Sequence, residues 1–483
     1  MQLSVVAGLD GLVKQVEGRI ELTIGCKTLN LFANLVVIAI VIHFFINFEI
    51  SKLSIIIKLT KIMKRRIIAI ATAAFAWISI SAADPTSTNY TFAECEGSLM
   101  PYPDNITTVA YPDSLEAVMI NHVGRHGARY PASSSNCIKL RKALAKADSA
   151  GTITPLGREL QKINDEVIAA ANGQWGALDS LGMAEQRAIA TRMYKAYPHL
   201  FEGGTVNAIS SYSPRVMMSM MSFMHQLDRL NNKPNYQTST GRVNSPLVRP
   251  FDIDEDYIEF RKTDEVKDAY KRFFDETCPT GAISRVLGKN FPYKDADEWR
   301  DLAITEYYVI AGLSAMGMPS DAARFFTREE YNALWSCFNM RQYLQRTATT
   351  LSSIPADIMS DLVLNLIQTT DNFIDGSNPY AVNLRFGHAE TIMPLASLLR
   401  LPGCYYLTNY FDTVAMHWRD FYVVPMASNI QFILFKAKKS GRYYVRVDFN
   451  EVPVTLIPNN ESIYLPWGVA RDYMMNCVPL YAQ

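Results

Sequence analysis

Apolar residues recur along this chain with two periods, and the changes of period divide it. Residues 115–123, Leu-Glu-Ala-Val-Met-Ile-Asn-His-Val, form a nearly continuous apolar run of the length of a buried strand. A glycine-punctuated loop at 124–131 follows. Helical spacing then predicts helices at about 135–149, 155–172 and 181–198, with Thr154-Pro155 supplying the second with an N-cap and an N1 proline. A short strand at 206–211 leads through Pro214 into a methionine-rich helix at 215–230, whose five methionines (217, 218, 220, 221 and 224) suit pliable core packing. From about 250 to 376 the pattern is helical throughout, at 254–275, 297–316, 327–346 and 353–375. Strand character returns at 383–386, a helix follows at 391–399, and strands at 429–436 and 442–449 flank the hairpin turn Lys438-Lys439-Ser440-Gly441.

This order implies an α/β fold: a mixed, mostly parallel sheet flanked by helices, with an inserted all-helical cap domain. The core comprises 84–249 and 377–483, and the cap 250–376. Two apolar runs precede the core. The first, 31–48, is broken only by Asn34, His43 and Asn47 and reaches the lower limit for a spanning helix. The second begins at Met63 with Lys64-Arg65-Arg66, stays apolar through 67–80, and ends at Ser81-Ala82-Ala83 before Asp84-Pro85. A basic start, an apolar middle and small residues before a break describe a secretory signal peptide. Residues 63–83 therefore read as that peptide and 1–62 as a mis-extended N-terminus. The alternative is a true membrane anchor at 31–48, the one feature that would make a membrane a partner. The expected location is exported: periplasm, outer surface or medium.

Charge changes this picture little. The 47 basic and 47 acidic residues cancel, which argues against a nucleic-acid partner. Nine basic and four acidic residues fall within 1–83, so the remainder, 38 against 43, is mildly acidic. With 49% hydrophobic and 19% charged residues the chain is neither disordered nor fibrous. Beyond Cys26 there are six cysteines (Cys95, Cys137, Cys278, Cys337, Cys404 and Cys477), an even number compatible with up to three disulfides or with buried free thiols. None forms a Cys-x-x-Cys pair.

The chemistry concentrates in one loop. Directly after the first strand stands Arg125-His126-Gly127-Ala128-Arg129-Tyr130-Pro131, at the kind of strand end where α/β proteins bind ligands. Arginine presents a planar, permanently charged fork suited to phosphate oxygens. Two such charges disfavour a third, so they push His126 towards its neutral, nucleophilic form. A neutral imidazole facing phosphorus clamped by guanidinium groups is equipped for covalent phosphoryl transfer. Other histidines have plainer expectations: His122 structural on its strand, His225 packed within the methionine-rich helix, and His199 a cation at a helix end.

The loop resembles the Arg-His-Gly-x-Arg-x-Pro signature of the histidine acid phosphatases, branch 2 of the histidine phosphatase superfamily. Gly387-His388-Ala389-Glu390 resembles the family's distal motif, in the His-Ala-Glu form of the multiple inositol polyphosphate phosphatases. Ser211-Tyr212-Ser213-Pro214-Arg215 is similar to a third arginine site. Residues 175–186 resemble a Leu-Thr-x-x-Gly-x-x-Gln segment in which Asp179 replaces the threonine, and 425–430 and 445–451 resemble late landmarks. The likeness spans about 95–454. It implies that His126 is the nucleophile, that Arg125, Arg129 and Arg215 clamp the phosphoryl oxygens with His388 as a further donor, and that Glu390 donates the proton to the leaving alkoxide. No cofactor or metal is implied, because arginines supply the positive charge.

The partner implied is a small-molecule phosphate ester, with phytate and lower inositol polyphosphates first. Several phosphates demand a wide basic cleft, for which the cap offers Arg249, Arg261, Lys262, Lys267, Lys271, Arg285 and Lys289. Arg249 leads, because Arg249-Pro250-Phe251-Asp252 resembles an Arg-Phe-Phe-Asp stretch of the inositol phosphatases. Two alternatives stand beside this: a broad acid phosphatase on sugar phosphates or nucleotides, and an inactive phosphate-binding module.

Overall fold

In the computed structural model, which describes residues 89–482 apart from Pro379, a single sheet carries the site. The apolar run at 31–48, the signal peptide and its cleavage point lie outside the described residues. The strands are β1 (Leu115–Arg125), β2 (Thr205–Ser210), β3 (Asn235–Thr240), β4 (Val382–Gly387), β5 (Asn429–Ala437), β6 (Tyr443–Phe449), β7 (Val452–Val454) and β8 (Leu465–Pro466). Their order is β3-β2-β4-β1-β5-β6-β7, with β8 beside β6. The strands from β3 through β1 run parallel, and from β5 outward the pairing is antiparallel. This is the mixed α/β sheet with parallel central strands that the pattern predicts.

Among the described residues there are eleven longer helices: α1 (Ser135–Ser149), α2 (Pro155–Ala171), α3 (Ser180–Ala196), α4 (Pro214–Leu230), α5 (Asp264–Thr277), α6 (Gly281–Leu287), α7 (Ala296–Ala311), α8 (Arg328–Arg346), α9 (Ser360–Ile374), α10 (Ala389–Leu398) and α11 (Trp467–Cys477). The start read at Thr154 is a real cap: Thr154 Oγ1 accepts from the Gly157 amide at 3.1 Å. On α8, Thr327 and Glu330 form a reciprocal capping box that the sequence reading did not name. Period-2 alternation buries the central strands on both faces. On β5, Phe432 and Leu434 face α9 and α10, while Ile433 and Phe435 face the side covered by α3 and α4. A third core unites α6, α7 and α8 with α1 and α2, through residues such as Leu140, Leu160, Ile283, Ile304 and Trp335. The inserted helices thus share their interior with helices that precede them in the chain, whereas α9 packs on the sheet.

Several expectations change. The helix expected at 254–275 is two: Thr263 turns to extended backbone, its hydroxyl caps the Phe260 carbonyl at 2.8 Å, and Asp264 and Glu265 open a new N-terminus. The run at 353–375 likewise divides near Met359. β3 has no apolar alternation to betray it, being an edge strand with mostly exposed polar residues. Among the described residues no disulfide is present: Cys95, Cys137, Cys278, Cys337, Cys404 and Cys477 are free thiols, five of them buried, with Cys278 and Cys337 in side-chain contact. His225 is exposed rather than packed. In the same helix Met220 and Met224 are buried, but Met218 and Met221 point outward at 45% and 51% exposure, since a 3.6-residue period cannot bury all five. His199 turns from its helix end to hydrogen-bond the Ala117 carbonyl of β1 at 2.6 Å.

Candidate active site

Three parallel strands bring their carboxyl ends to one level. Arg125, last in β1, pairs with Gly387, last in β4, while Ser210, last in β2, pairs with Phe386. The amide of His126 donates to the Gly387 carbonyl at 3.2 Å, and that of Ser211 to the Phe386 carbonyl at 3.1 Å. Loops 211–215, 125–131 and 388–390 therefore meet, although more than 170 residues separate the first from the last.

The nucleophile candidate is held before any ligand arrives. His126 is 3% exposed, and its Nδ1 lies 2.9 Å from the Gly127 carbonyl. A carbonyl only accepts, so Nδ1 carries the proton and Nε2 keeps the lone pair. Burial, reinforced by the Arg215, Arg125 and Arg129 guanidiniums, holds the imidazole well below the usual histidine range, so it is neutral. Gly127 leaves no room for a side chain: a Cβ there would lie 2.4 Å from the Gly182 carbonyl oxygen. Its amide donates to Ser219 Oγ at 3.1 Å, and that hydroxyl donates to the Arg215 carbonyl, tying the loop to α4.

The arginines are braced through part of each fork. Arg125 Nη1 donates to the carbonyls of Ser98 at 2.7 Å and Val424 at 2.5 Å, and Arg129 Nη1 to that of Tyr130 at 2.8 Å. The buried Nε groups of Arg125, Arg129 and Arg215 have no acceptor in the protein. Burial pushes the Arg125 guanidinium down to about 10, and burial with the neighbouring arginines takes Arg129 to about 9. Both stay charged at neutral pH, and their mutual repulsion marks a place built for an anion. All three line a cavity of about 350 Å³ with His126 and Glu390.

His388 sits at the N-cap of α10, its amide donating to Thr391 Oγ1 at 3.0 Å. Arg249 Nη1 lies 2.8 Å from its Nε2, Ser211 Oγ is 2.9 Å from the same atom, and Arg215 Nη2 stands 3.4 Å from Nδ1. Guanidiniums only donate, and the shorter contact, from Arg249, makes Nε2 the acceptor and leaves the proton on Nδ1. Nδ1 and Arg215 Nη2 are then neighbouring donors, which one phosphate oxygen can satisfy. The seven sequence-predicted residues, Arg125, His126, Arg129, Arg215, Arg249, His388 and Glu390, are thus brought together. Arg249 is fixed by Asp252 at 2.5 Å and lies over the Tyr212 and Phe251 rings, 4.8 and 5.0 Å from their centroids. The other cap cations do not line the cavity. Arg285 pairs with Glu330, Arg261 lies over the Tyr257 ring, and Lys262, Lys267 and Lys271 pair with surface carboxylates.

Sequence reasoning missed the residues that α8 contributes. Arg341, Gln342 and Arg346 line the same cavity, and Arg346 Nη2 donates to Glu390 Oε1 at 2.8 Å. Burial favours the neutral acid, but Arg346 overrides it and holds the Glu390 carboxyl well below the usual range. An arginine on a predicted helix face carries no signal of this. Glu185 was also missed: its carboxylate accepts from the amides of Tyr102 at 2.8 Å and Ala128 at 2.6 Å, behind the loop. The segment around Asp179 explains itself. Asp179 caps α3 through the Gly182 amide, Gly182 abuts Ala128, and Gln186 Nε2 donates to the Arg125 carbonyl at 2.9 Å. Among the described residues no group of three His, Cys, Asp or Glu is placed to hold a metal ion, and no helix is long and apolar enough to cross a membrane.

The arrangement can hold a phosphoryl group between three guanidiniums and present it to an imidazole lone pair. Known proteins similar to this chain are phosphatases. The family profile described as histidine phosphatase superfamily (branch 2) matches residues 118–450. Human multiple inositol polyphosphate phosphatase 1 is 25% identical over 375 residues, 70% of this chain and 75% of that protein. The multiple inositol polyphosphate phosphatase of Bifidobacterium longum, solved in complex with inositol hexasulfate, superposes with a TM-score of 0.68 at 18% identity, over 80% of this chain and 99% of its own. The phytase from D. castellii does so at 0.62 and 16%, over 82% and 88%.

Proposed function

Because this chain belongs to branch 2 of the histidine phosphatase superfamily, and is thereby a phosphoric monoester hydrolase, we propose that it is an exported enzyme acting on phytate and lower inositol polyphosphates through a phosphohistidine. The observation that supports the substrate is the number of cations in the cavity. Arg341 and Arg346 of α8 line it together with Arg125, Arg129 and Arg215. One phosphate needs only the three arginines of the signature loop and α4, so two more suit an ester with further phosphates. Relatives named for inositol polyphosphates support the same substrate class. The basic, apolar and small-residue order of 63–83 supports export.

The steps follow from the residues. His126 Nε2 attacks phosphorus, the P–O bond to the sugar alcohol breaks, and Glu390, in its protonated form, gives the leaving oxygen its proton. Arg125, Arg129, Arg215 and His388 stabilise the charge gathering on the non-bridging oxygens, which is usually the largest catalytic term. Water then attacks the phosphohistidine and yields its proton to Glu390, and inorganic phosphate leaves.

Phosphate release from phytate, glycerol 2-phosphate and p-nitrophenyl phosphate tests this, with rapid-quench trapping of acid-labile, base-stable phosphate on the protein. We expect phytate to be preferred and His126→Ala to be folded but to lose both turnover and label. A preference for the small esters would favour the broad phosphatase; label on another residue type would overturn the nucleophile.

A further inference from the structure

A proton donor must hold a proton, yet without substrate Glu390 is tied to a permanent cation. Arg346 is the last residue of α8, and its Nη2 lies 2.8 Å from Glu390 Oε1, with the two side chains 12% and 28% exposed. Both line the cavity that holds His126. The rest of the guanidinium is little used: Nε is buried without a protein acceptor, and Nη1 makes only a 3.4 Å contact with Gln345 Oε1. That leaves a cation able to leave a singly charged carboxylate for a doubly charged phosphate in the same cavity.

We propose that Arg346 is a positioning residue that gates the acid: it idles Glu390 as a carboxylate until a second phosphate of a polyphosphorylated substrate draws it away, freeing Glu390 to take up the proton it donates. The inference rests on the substrate and acid assignments of the preceding subsection and adds their control. When the pair opens, Glu390 takes a proton from solvent and passes it to the leaving oxygen as the P–O bond breaks. It recovers one from the water that cleaves the phosphohistidine. On product release it loses that proton and re-pairs with Arg346. The groups facing Glu390 are Arg346 from α8, Arg125 and Arg129 from the loop after β1, Arg215 from α4, Tyr257 from the helix at Glu255–Phe260, and His388 beside it. Arg346 is the cation bonded to it, so its removal moves the proton affinity most. A singly phosphorylated ester leaves Arg346 on Glu390, so the acid is protonated, and its alcohol assisted, only at lower pH.

The test is the pH dependence of burst-phase phosphorylation in wild type, Arg346→Gln and Arg346→Lys, on phytate and glycerol 2-phosphate, with p-nitrophenyl phosphate as an ester whose leaving group needs no proton. For Arg346→Gln we expect the descending alkaline limb on glycerol 2-phosphate to move up by about one pH unit, roughly tenfold in rate above it. On phytate the limb should stay while KM rises about tenfold, and on the nitrophenyl ester, whose leaving group needs no proton, no limb should move. Arg346→Lys, which keeps the charge, should restore the wild-type limb, and thermal melting checks that both variants fold. A limb unmoved on glycerol 2-phosphate, or moved equally on both esters, overturns the gate, as does a folded Arg346→Lys that behaves like the glutamine. Failure of the underlying reading looks different. Wild type would not prefer phytate, or Glu390→Gln would keep its rates on both alkyl esters, and either result overturns the gate with it.

Discussion

His122 and His126 stand four residues apart on one strand and its loop, both buried, and they separate what burial does from what a site does. Burial, aided by the nearby Arg385 charge, pushes His122 down to about 3, and neither of its ring nitrogens has a hydrogen-bond partner. It packs against Phe223 and Phe386 at ring distances of 5.3 and 5.6 Å. His126 is neutral for the same first reason, but Gly127 orients its proton and three arginines surround its lone pair. The structural histidine has a pH signature of its own. Below its ordinary value of 6.5 the unfolded chain takes up a proton that the folded chain refuses until about 3, so stability falls with pH across that window. The slope is about 1.4 kcal/mol per pH unit. His122→Leu removes this loss. Relative to wild type it should therefore gain about 2 kcal/mol between pH 7.5 and pH 5 in denaturant unfolding. A wild-type-to-variant difference that does not change with pH would show that His122 titrates normally in the fold.

At the scale of elements, the reactive loop depends on how closely α3 approaches it. A Cβ on Gly182 would lie 2.1 Å from the Ala128 carbonyl oxygen and 2.7 Å from its amide nitrogen, both backbone atoms that cannot swing aside. Asp179 caps that helix start, and Glu185 and Gln186, one turn on, hold the backbone of Ala128 and Arg125. Gly182→Ala should push α3 and the loop apart, costing about 1–3 kcal/mol of stability. Phosphorylation should slow by about a hundredfold, the penalty typical of displacing reacting groups by an ångström. Gly468, in the first turn of α11, has nothing within 4 Å of its Cβ position and is the control. Gly468→Ala should raise the melting temperature slightly and leave turnover intact. Equal effects of the two changes would mean that close packing at Gly182 does not set the site.

The whole molecule combines zero net charge with a cavity lined by five arginines, Arg125, Arg129, Arg215, Arg341 and Arg346, and a single carboxylate, Glu390. The positive field is therefore local, and an anionic ester meets it only near the mouth. Raising ionic strength from about 20 to about 500 mM shortens the screening length from roughly 20 Å to a few ångströms. We expect kcat/KM for phytate to fall at least tenfold over that range while kcat changes little, and the value for glycerol 2-phosphate to fall less because it carries fewer charges. Stopped-flow or steady-state measurements at fixed pH decide it. A flat profile for phytate would remove electrostatic capture by this cavity.

What the sequence determined by itself was local and periodic. A continuous apolar run placed β1, strand character placed β4, a hairpin turn joined β5 to β6, capping chemistry placed the start of α2, and the residue types of 125–131 and 387–390 announced their chemistry and their family. These follow from backbone geometry and side-chain chemistry within a few residues, so one segment is enough to read them. Tertiary structure decided what depends on which segments meet. It formed no disulfide among the six cysteines of the described residues, broke the helix at Thr263 and turned two of the five methionines at 217–224 outward. It also seated Arg249 on His388 and carried Arg346, 44 residues from Glu390 and alike in sequence to any surface arginine, to that carboxylate. Periodicity records which side of an element is apolar, but not which element will cover it. An ion pair across such a distance is fixed by the packing of α8 against the sheet's helices, and no local pattern encodes it.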